Sequence, residues 1–134
     1  MIIAIGNDLA EVDRVRAALE HPKTGARFRD RVFTAGEQAY CERRGRGKYQ
    51  SYAARFAAKE ATMKALGRGW GQHVGWHDIE VVRGGGSRPR LVLHGKAAAY
   101  AAALGIRRLH LALTHTATLA QASVIAEGEG ESGG

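Results

Sequence analysis

Three short runs of this 134-residue chain carry side chains whose types and spacing could do chemistry. The first holds Phe56, Glu60, Lys64 and Gly67, spaced by roughly one helical turn and so aligned along one stripe. Glu60 and Lys64 make an i,i+4 pair in the favourable order, worth about 0.2–0.5 kcal/mol on a solvated face, which alone would account for them. Their neighbours Ala57, Ala58, Ala61 and Ala65 are small enough to let another backbone, or a ligand, approach the carboxylate. The second run, Ile5-Gly6-Asn7-Asp8-Leu9-Ala10-Glu11, places Asp8 just past an apolar stretch, where strand ends commonly present functional groups. Asp8 or Asn7 would serve equally as a helix cap, with Glu11 as the capping-box partner of Asp8. In the third, Leu113-Thr114-His115-Thr116, a histidine stands between hydroxyls. That suits a phosphate, and it also suits a merely exposed hairpin.

Gly67-Arg68-Gly69-Trp70-Gly71 follows the helical stripe directly. It is no Walker loop, because no Gly-Lys-Ser/Thr follows and a helix precedes it; alone it reads as a helix cap and turn. The other histidines (His21, His73, His77, His94, His110) show no ligand spacing, which argues against zinc.

The elements that must position these groups alternate. Residues 2–5 are a short apolar strand ending at Gly6, and residues 11–19 a helix closed by Pro22. Short helices over 26–32 and 36–43 lead into a basic loop of Arg43, Arg44, Arg46 and Lys48. The strongest helix spans about 50–66, built from good helix formers and ended by Gly67. Residues 78–83 and 90–94 alternate as two strands joined by Gly84-Gly85-Gly86. A helix over 97–104 stops at Gly105, and strands over 108–114 and 119–126 close the chain. Hairpin-connected strands mixed with helices imply an α+β fold: a small antiparallel or mixed sheet packed with one long helix and several short ones. The length fits one domain over residues 1–127, and the glycine- and glutamate-rich stretch 128–134 reads as a disordered tail.

A formal charge of +7 and a pI near 10.1 call for an anionic partner: nucleic acid, a phosphorylated cofactor or an acidic protein. Aromatic residues make up only 7% and are not interleaved with cations on a strand, which argues against nucleic acid. No apolar run is long enough to cross a bilayer, so no membrane partner is expected. The single Cys41 and the absence of a signal-like N-terminus point to a reducing, cytoplasmic setting.

Taken in order, Ile5-Gly6-x-Asp8-x-x-Glu11, Arg55-Phe56-Ala57-Ala58-Lys59-Glu60-Ala61, Lys64-Ala65-Leu66-Gly67, Asp78-Ile79-Glu80-Val81 and Leu113-Thr114-His115-Thr116 resemble the holo-[acyl carrier protein] synthase family of phosphopantetheinyl transferases. The likeness runs from residue 2 to about residue 127, and Arg-Phe-Ala-Ala-Lys-Glu-Ala is its most specific part. It implies the family's fold and an enzyme that moves 4′-phosphopantetheine from coenzyme A to a serine of an acyl carrier protein in fatty acid biosynthesis. On this resemblance Asp8 and Glu60 are the protein ligands of Mg²⁺, a hard ion that usually takes one or two carboxylates plus phosphate oxygens and water. Lys64 matches an active-site lysine with two possible roles, a cation on the transferring phosphate or a base for the serine. Neighbouring negative charge would raise its pKa and so favours the first; the proton would then pass to metal-bound water or to a carboxylate such as Glu11.

The resemblance also assigns the coenzyme A groove to Arg55, His115 and Thr116, bordered by Gly67, Gly69 and Pro89, with Arg46 and Lys48 as further candidates. Arg14, Arg27, Phe28 and Arg31 match positions that receive the acidic carrier protein. The family is a homotrimer with sites between subunits, which would give a small domain the walls it lacks.

Overall fold

The computed structural model describes residues 1–67, 74–83 and 88–130. Alternation governs its first strand, β1 (Ile2–Glu11), in which Ala4, Gly6, Asp8 and Ala10 turn inward while Ile3, Ile5, Asn7 and Leu9 turn out. Three helices follow: α1 (Val12–Glu20), α2 (Gly25–Val32) and α3 (Ala35–Glu42). A 3₁₀ turn at Gly45–Gly47 leads to the long helix α4 (Lys48–Leu66). A second 3₁₀ turn, Trp76–Asp78, precedes β2 (Ile79–Val82), β3 (Arg90–Leu93) and α5 (Gly95–Ala103). The strands β4 (Ile106–His115) and β5 (Leu119–Gly128) complete the chain.

Two antiparallel sheets result, one ordered β1-β5-β4 and the other β2-β3. In the larger sheet Asp8 stands opposite Ala122, which stands opposite Leu113 on the far side. Its inner face is made mostly of small residues from β1, alanines and Val124 from β5 and leucines from β4, and α4 packs across β1 and β5. Because α1, α3 and β2 flank α4 on its other sides, that helix is buried nearly all round. Small residues suit such a position. A Cβ built on Gly6 would lie 1.9 Å from the Ala61 carbonyl oxygen and 2.9 Å from the Ala65 nitrogen.

A fully buried ion pair ties α3 and β2 to α4. Lys59 Nζ lies 2.8 Å from Glu37 Oε1, and neither side chain is exposed to solvent. Both groups are saturated. Glu37 caps α3 by accepting the Thr34 N–H, and its other oxygen accepts the Val81 N–H at 2.8 Å. Lys59 donates to the carbonyls of Trp76 and Ile79. Burial pushes the Lys59 pKa down and Glu37 pulls it back, yet only the ammonium satisfies all three acceptors.

The α+β expectation holds, and Gly67 ends α4 with a left-handed φ of 76° as its position implied. Several boundaries differ. The first strand does not stop at Gly6 but pairs with β5 through Glu11, so Asp8 is a mid-strand residue and not a helix cap. Glu11 occupies the N-cap position of α1 without a side-chain capping bond. Pairing of nine residues with β5 outweighs the local preference of Gly and Asx residues to break a strand. β5 also includes Gly128, assigned to the tail from sequence, which faces Ile106 and binds the N-terminus. Residues 131–134 of that expected tail, and the expected Gly84–86 turn, lie outside the described residues.

Gly6→Ala should displace β1 from α4, since the obstacle is helix backbone that cannot rotate away. Overpacking of this kind costs about 1–3 kcal/mol or more. A urea midpoint equal to that of the unaltered protein would contradict the contact.

Candidate functional site

Where β1 crosses α4, two charges meet. Lys64 Nζ lies 2.9 Å from Asp8 Oδ1, with the carboxylate side chain 17% exposed and the lysine 58% exposed. The hydrogen bond to Asp8, then its charge and that of Glu60, hold the Lys64 pKa above the ordinary lysine range. That direction favours a standing cation over a titrating base. Glu60, half-buried, sits one turn before Lys64 on the same stripe. Asn7, Asp8, Leu9, Lys64 and Gln121 line a groove of about 440 Å³ here.

A second groove, of about 320 Å³, shares Leu9 with the first. Ala10, Glu11, Arg14, Phe28 and Phe56 are among its walls, so Arg14 and Phe28 line one groove. Phe28 meets Phe33 edge-on, with ring centroids 6.2 Å apart, and Phe56 at 6.3 Å; Phe56 in turn stacks on Trp76 at 5.5 Å. Arg27 and Arg31 are exposed on α2 but do not line this groove. The roles of Phe56 and Trp76 as its aromatic backing were not visible in sequence, because their partner Phe28 is remote along the chain.

The remaining expected groups are dispersed within one chain. Arg55 is buried, its guanidinium 4.1 Å above the Tyr40 ring and its Nη1 donating to the Ser51 carbonyl. It does not line the Asp8 groove, and its Nε has no hydrogen-bond partner among the described residues. Arg44 also lies over Tyr40, at 5.6 Å, and Arg83 donates to the Tyr40 hydroxyl. Lys48 pairs with Glu42 at 3.0 Å, and Arg46 sits in the 3₁₀ turn before α4. His115 is exposed at the end of β4, with β5 between it and β1, a separation of about 10 Å at ordinary strand spacing. Thr116 builds the hairpin, its hydroxyl oxygen accepting the N–H groups of Thr118 and Leu119. Gly67 lies three residues beyond Lys64, and Pro89 is half-buried just before β3. Gly69 lies outside the described residues.

A divalent cation fits the donors present at the β1–α4 crossing. Asp8 already accepts one cation, the Lys64 ammonium, and Glu60 adds a second hard oxygen donor one turn away. Among the described residues no group of three or more His, Cys, Asp or Glu gathers. The set therefore suits an ion that completes its shell with water and substrate oxygens.

The family model of the 4′-phosphopantetheinyl transferase superfamily matches residues 4–118. The holo-[acyl-carrier-protein] synthase of Solibacter usitatus is 50% identical over 127 residues, covering 95% of this chain and 99% of the relative. That of Anaeromyxobacter dehalogenans is 50% identical over 131 residues, covering 97% and 99%. Among solved structures, the holo-(acyl-carrier-protein) synthase of Bacillus anthracis in complex with CoA (3′,5′-ADP) superposes with a TM-score of 0.77 at 31% identity, covering 96% of this chain and 99% of that one. The Helicobacter pylori enzyme in complex with coenzyme A gives 0.79 at 27% identity, covering 92% and 99%. A model match over most of the sequence, full-length relatives at half identity and a shared fold together place the chain in the 4′-phosphopantetheinyl transferase superfamily.

Proposed function

We propose that this chain is a holo-[acyl carrier protein] synthase, transferring 4′-phosphopantetheine from coenzyme A to a serine of apo acyl carrier protein. The observation that carries the reading is the Asp8–Lys64 contact at the crossing of β1 and α4, with Glu60 one helical turn before that lysine, in a family two of whose solved members are in complex with coenzyme A. The serine oxygen forms a bond to the phosphorus that carries pantetheine. The bridging oxygen leaves with adenosine 3′,5′-bisphosphate, and the serine proton passes to water or to a carboxylate such as Glu11. Asp8 and Glu60 would hold Mg²⁺, which when bound would neutralise charge on the diphosphate. Lys64 places a fixed positive charge beside the same groove. His115, Thr116 and Arg55 serve the adenosine end, with Gly67, Gly69 and Pro89 along the border. The cytoplasmic setting belongs to the same reading; Cys41 is a buried free thiol whose pKa burial pushes up to about 12.

Asp8→Asn and Glu60→Gln should each abolish transfer while the far-UV spectrum stays that of the unaltered protein. The readout is the phosphopantetheine mass increment on apo carrier protein in chelator-treated, Mg²⁺-replete buffer. Full modification by either variant would sink the assignment.

The assembly we propose is a homotrimer. Its support is the outer face of the β1-β5-β4 sheet, where Ile5 is 58% exposed and Leu9 64% exposed among the described residues. The Asp8 and His115 groups also lie on opposite edge strands, so a neighbouring copy can complete what one chain divides. Sedimentation equilibrium should give three times the chain mass, and Ile5→Glu should yield folded, inactive single chains. An active monomer at assay concentration would refute this.

For the carrier protein, the Arg14–Phe28 groove offers a cationic rim over an aromatic floor. Exposed charges are screened within about 8–10 Å at physiological salt, whereas a buried aromatic contact is less affected. Arg14→Glu should raise the carrier KM steeply at low salt and flatten its salt dependence, with coenzyme A binding unchanged. Phe28→Ala should weaken the carrier at every salt concentration. An unchanged carrier KM and salt profile in Arg14→Glu would move the docking face elsewhere.

A further inference from the structure

The Asp8–Lys64 contact has a physical logic beyond the static charge assigned to Lys64. Asp8 projects from the inner face of β1 with only 17% of its side chain exposed, so its carboxylate has lost much of its water. A carboxylate in that position is costly unless a cation or strong donors replace the lost solvent. Among the described residues the cation paired with it is Lys64, which reaches across from α4 to the carboxylate oxygen at 2.9 Å. Lys64 itself is 58% exposed and stands on a flexible four-carbon stem, so it can leave without disturbing the core.

We infer that Lys64 is the resident counter-ion of Asp8 in the metal-free protein, and that it yields this carboxylate to the divalent ion and turns its ammonium to the diphosphate. The inference rests on the metal assignment to Asp8 and Glu60 proposed above. Charge accounting supports the exchange. Asp8 and Glu60 carry two negative charges that a divalent ion matches. The single charge of Lys64 is then surplus at the carboxylates and available to an anionic substrate on the same groove wall. Asp8 keeps a cationic partner in both states, so β1 need not move between them. Lys64 thus has opposite effects on two measurable quantities: it competes with the ion for Asp8 and assists turnover.

The experiment uses Mn²⁺ as the probe and the full chain without coenzyme A. Free Mn²⁺ is followed by its electron paramagnetic resonance signal for the unaltered protein, Lys64→Met and Asp8→Asn, and the unaltered protein is crystallised with and without Mn²⁺. The inference expects Lys64→Met to bind Mn²⁺ severalfold more tightly, Asp8→Asn to bind it more weakly, and Lys64 Nζ to leave hydrogen-bond reach of Asp8 in the Mn²⁺ crystal. Unchanged or weakened binding by Lys64→Met, with Asp8→Asn still weakened, overturns the inference and leaves the metal assignment standing. So does a crystal in which Lys64 Nζ stays on Asp8 with Mn²⁺ present. Equal Mn²⁺ binding by Asp8→Asn and the unaltered protein refutes the metal assignment itself, and the inference falls with it.

Discussion

The contact between β1 and α4 has room for a hydrogen atom on Gly6 and for nothing larger. With the strand backbone resting on the helix backbone at Ala61 and Ala65, the spacing of everything beyond that point is set by chain geometry. Two residues along β1, about 7 Å, lead to Asp8 on the same face of the strand. Three residues along α4, about 4.5 Å, lead from Ala61 to Lys64. A lysine stem spans the remainder, and the observed 2.9 Å contact follows. The Ile-Gly-x-Asp and Lys-Glu-Ala-x-x-Lys elements are therefore two halves of one packing solution. Changing the size of residue 6, 61 or 65 would alter the site together with the core.

Rotation of α4 about its own axis is a separate degree of freedom, and the Glu37–Lys59 pair removes it. Lys59 is directed to the Trp76 and Ile79 carbonyls and to a carboxylate that also caps α3 and holds the β2 backbone. Successive residues on a helix differ by about 100°, so fixing Lys59 inward dictates where the adjacent Glu60 faces. A fully buried ion pair contributes little net stability compared with apolar side chains of the same shape. Its value here is orientation. All its donors and acceptors are matched only when α3, α4, β2 and the Trp76–Asp78 turn are in their native places.

This also explains which features could be read from the sequence. Long-helix propensity, the glycine stop at residue 67 and the alternation in the later strands are local signals, and they located α4, β2, β3 and β5 to within a few residues. The extension of β1 past Gly6 depends on its partner β5, more than a hundred residues away, and no local pattern announces it. Lys59 and Glu37 carry charges that ordinarily face water, so nothing nearby marked them as core. Arg55 illustrates the reverse case: a cation assigned by resemblance to a ligand groove is, within one chain, packed on Tyr40. The charged stripe on α4 and the start of β1 were legible locally, whereas the pairing of Asp8 with that stripe came from the resemblance and not from any local pattern.

On the proposed reading, the two grooves divide the labour of the reaction, and Leu9 is where they join. One holds Asp8 and Lys64 and suits a diphosphate; the other holds Arg14 and Phe28 and suits an acidic partner with an apolar contact. Because Leu9, Ala10 and Glu11 are consecutive residues of one strand, the partner's approach is measured against the same backbone that carries Asp8. That strand is fixed on one side by α4 at Gly6 and along its length by β5. Alignment of nucleophile and phosphate then requires no moving part between the two grooves. Positioning of this sort can account for much of the catalysis in phosphoryl transfer, where the protein has little covalent chemistry to perform.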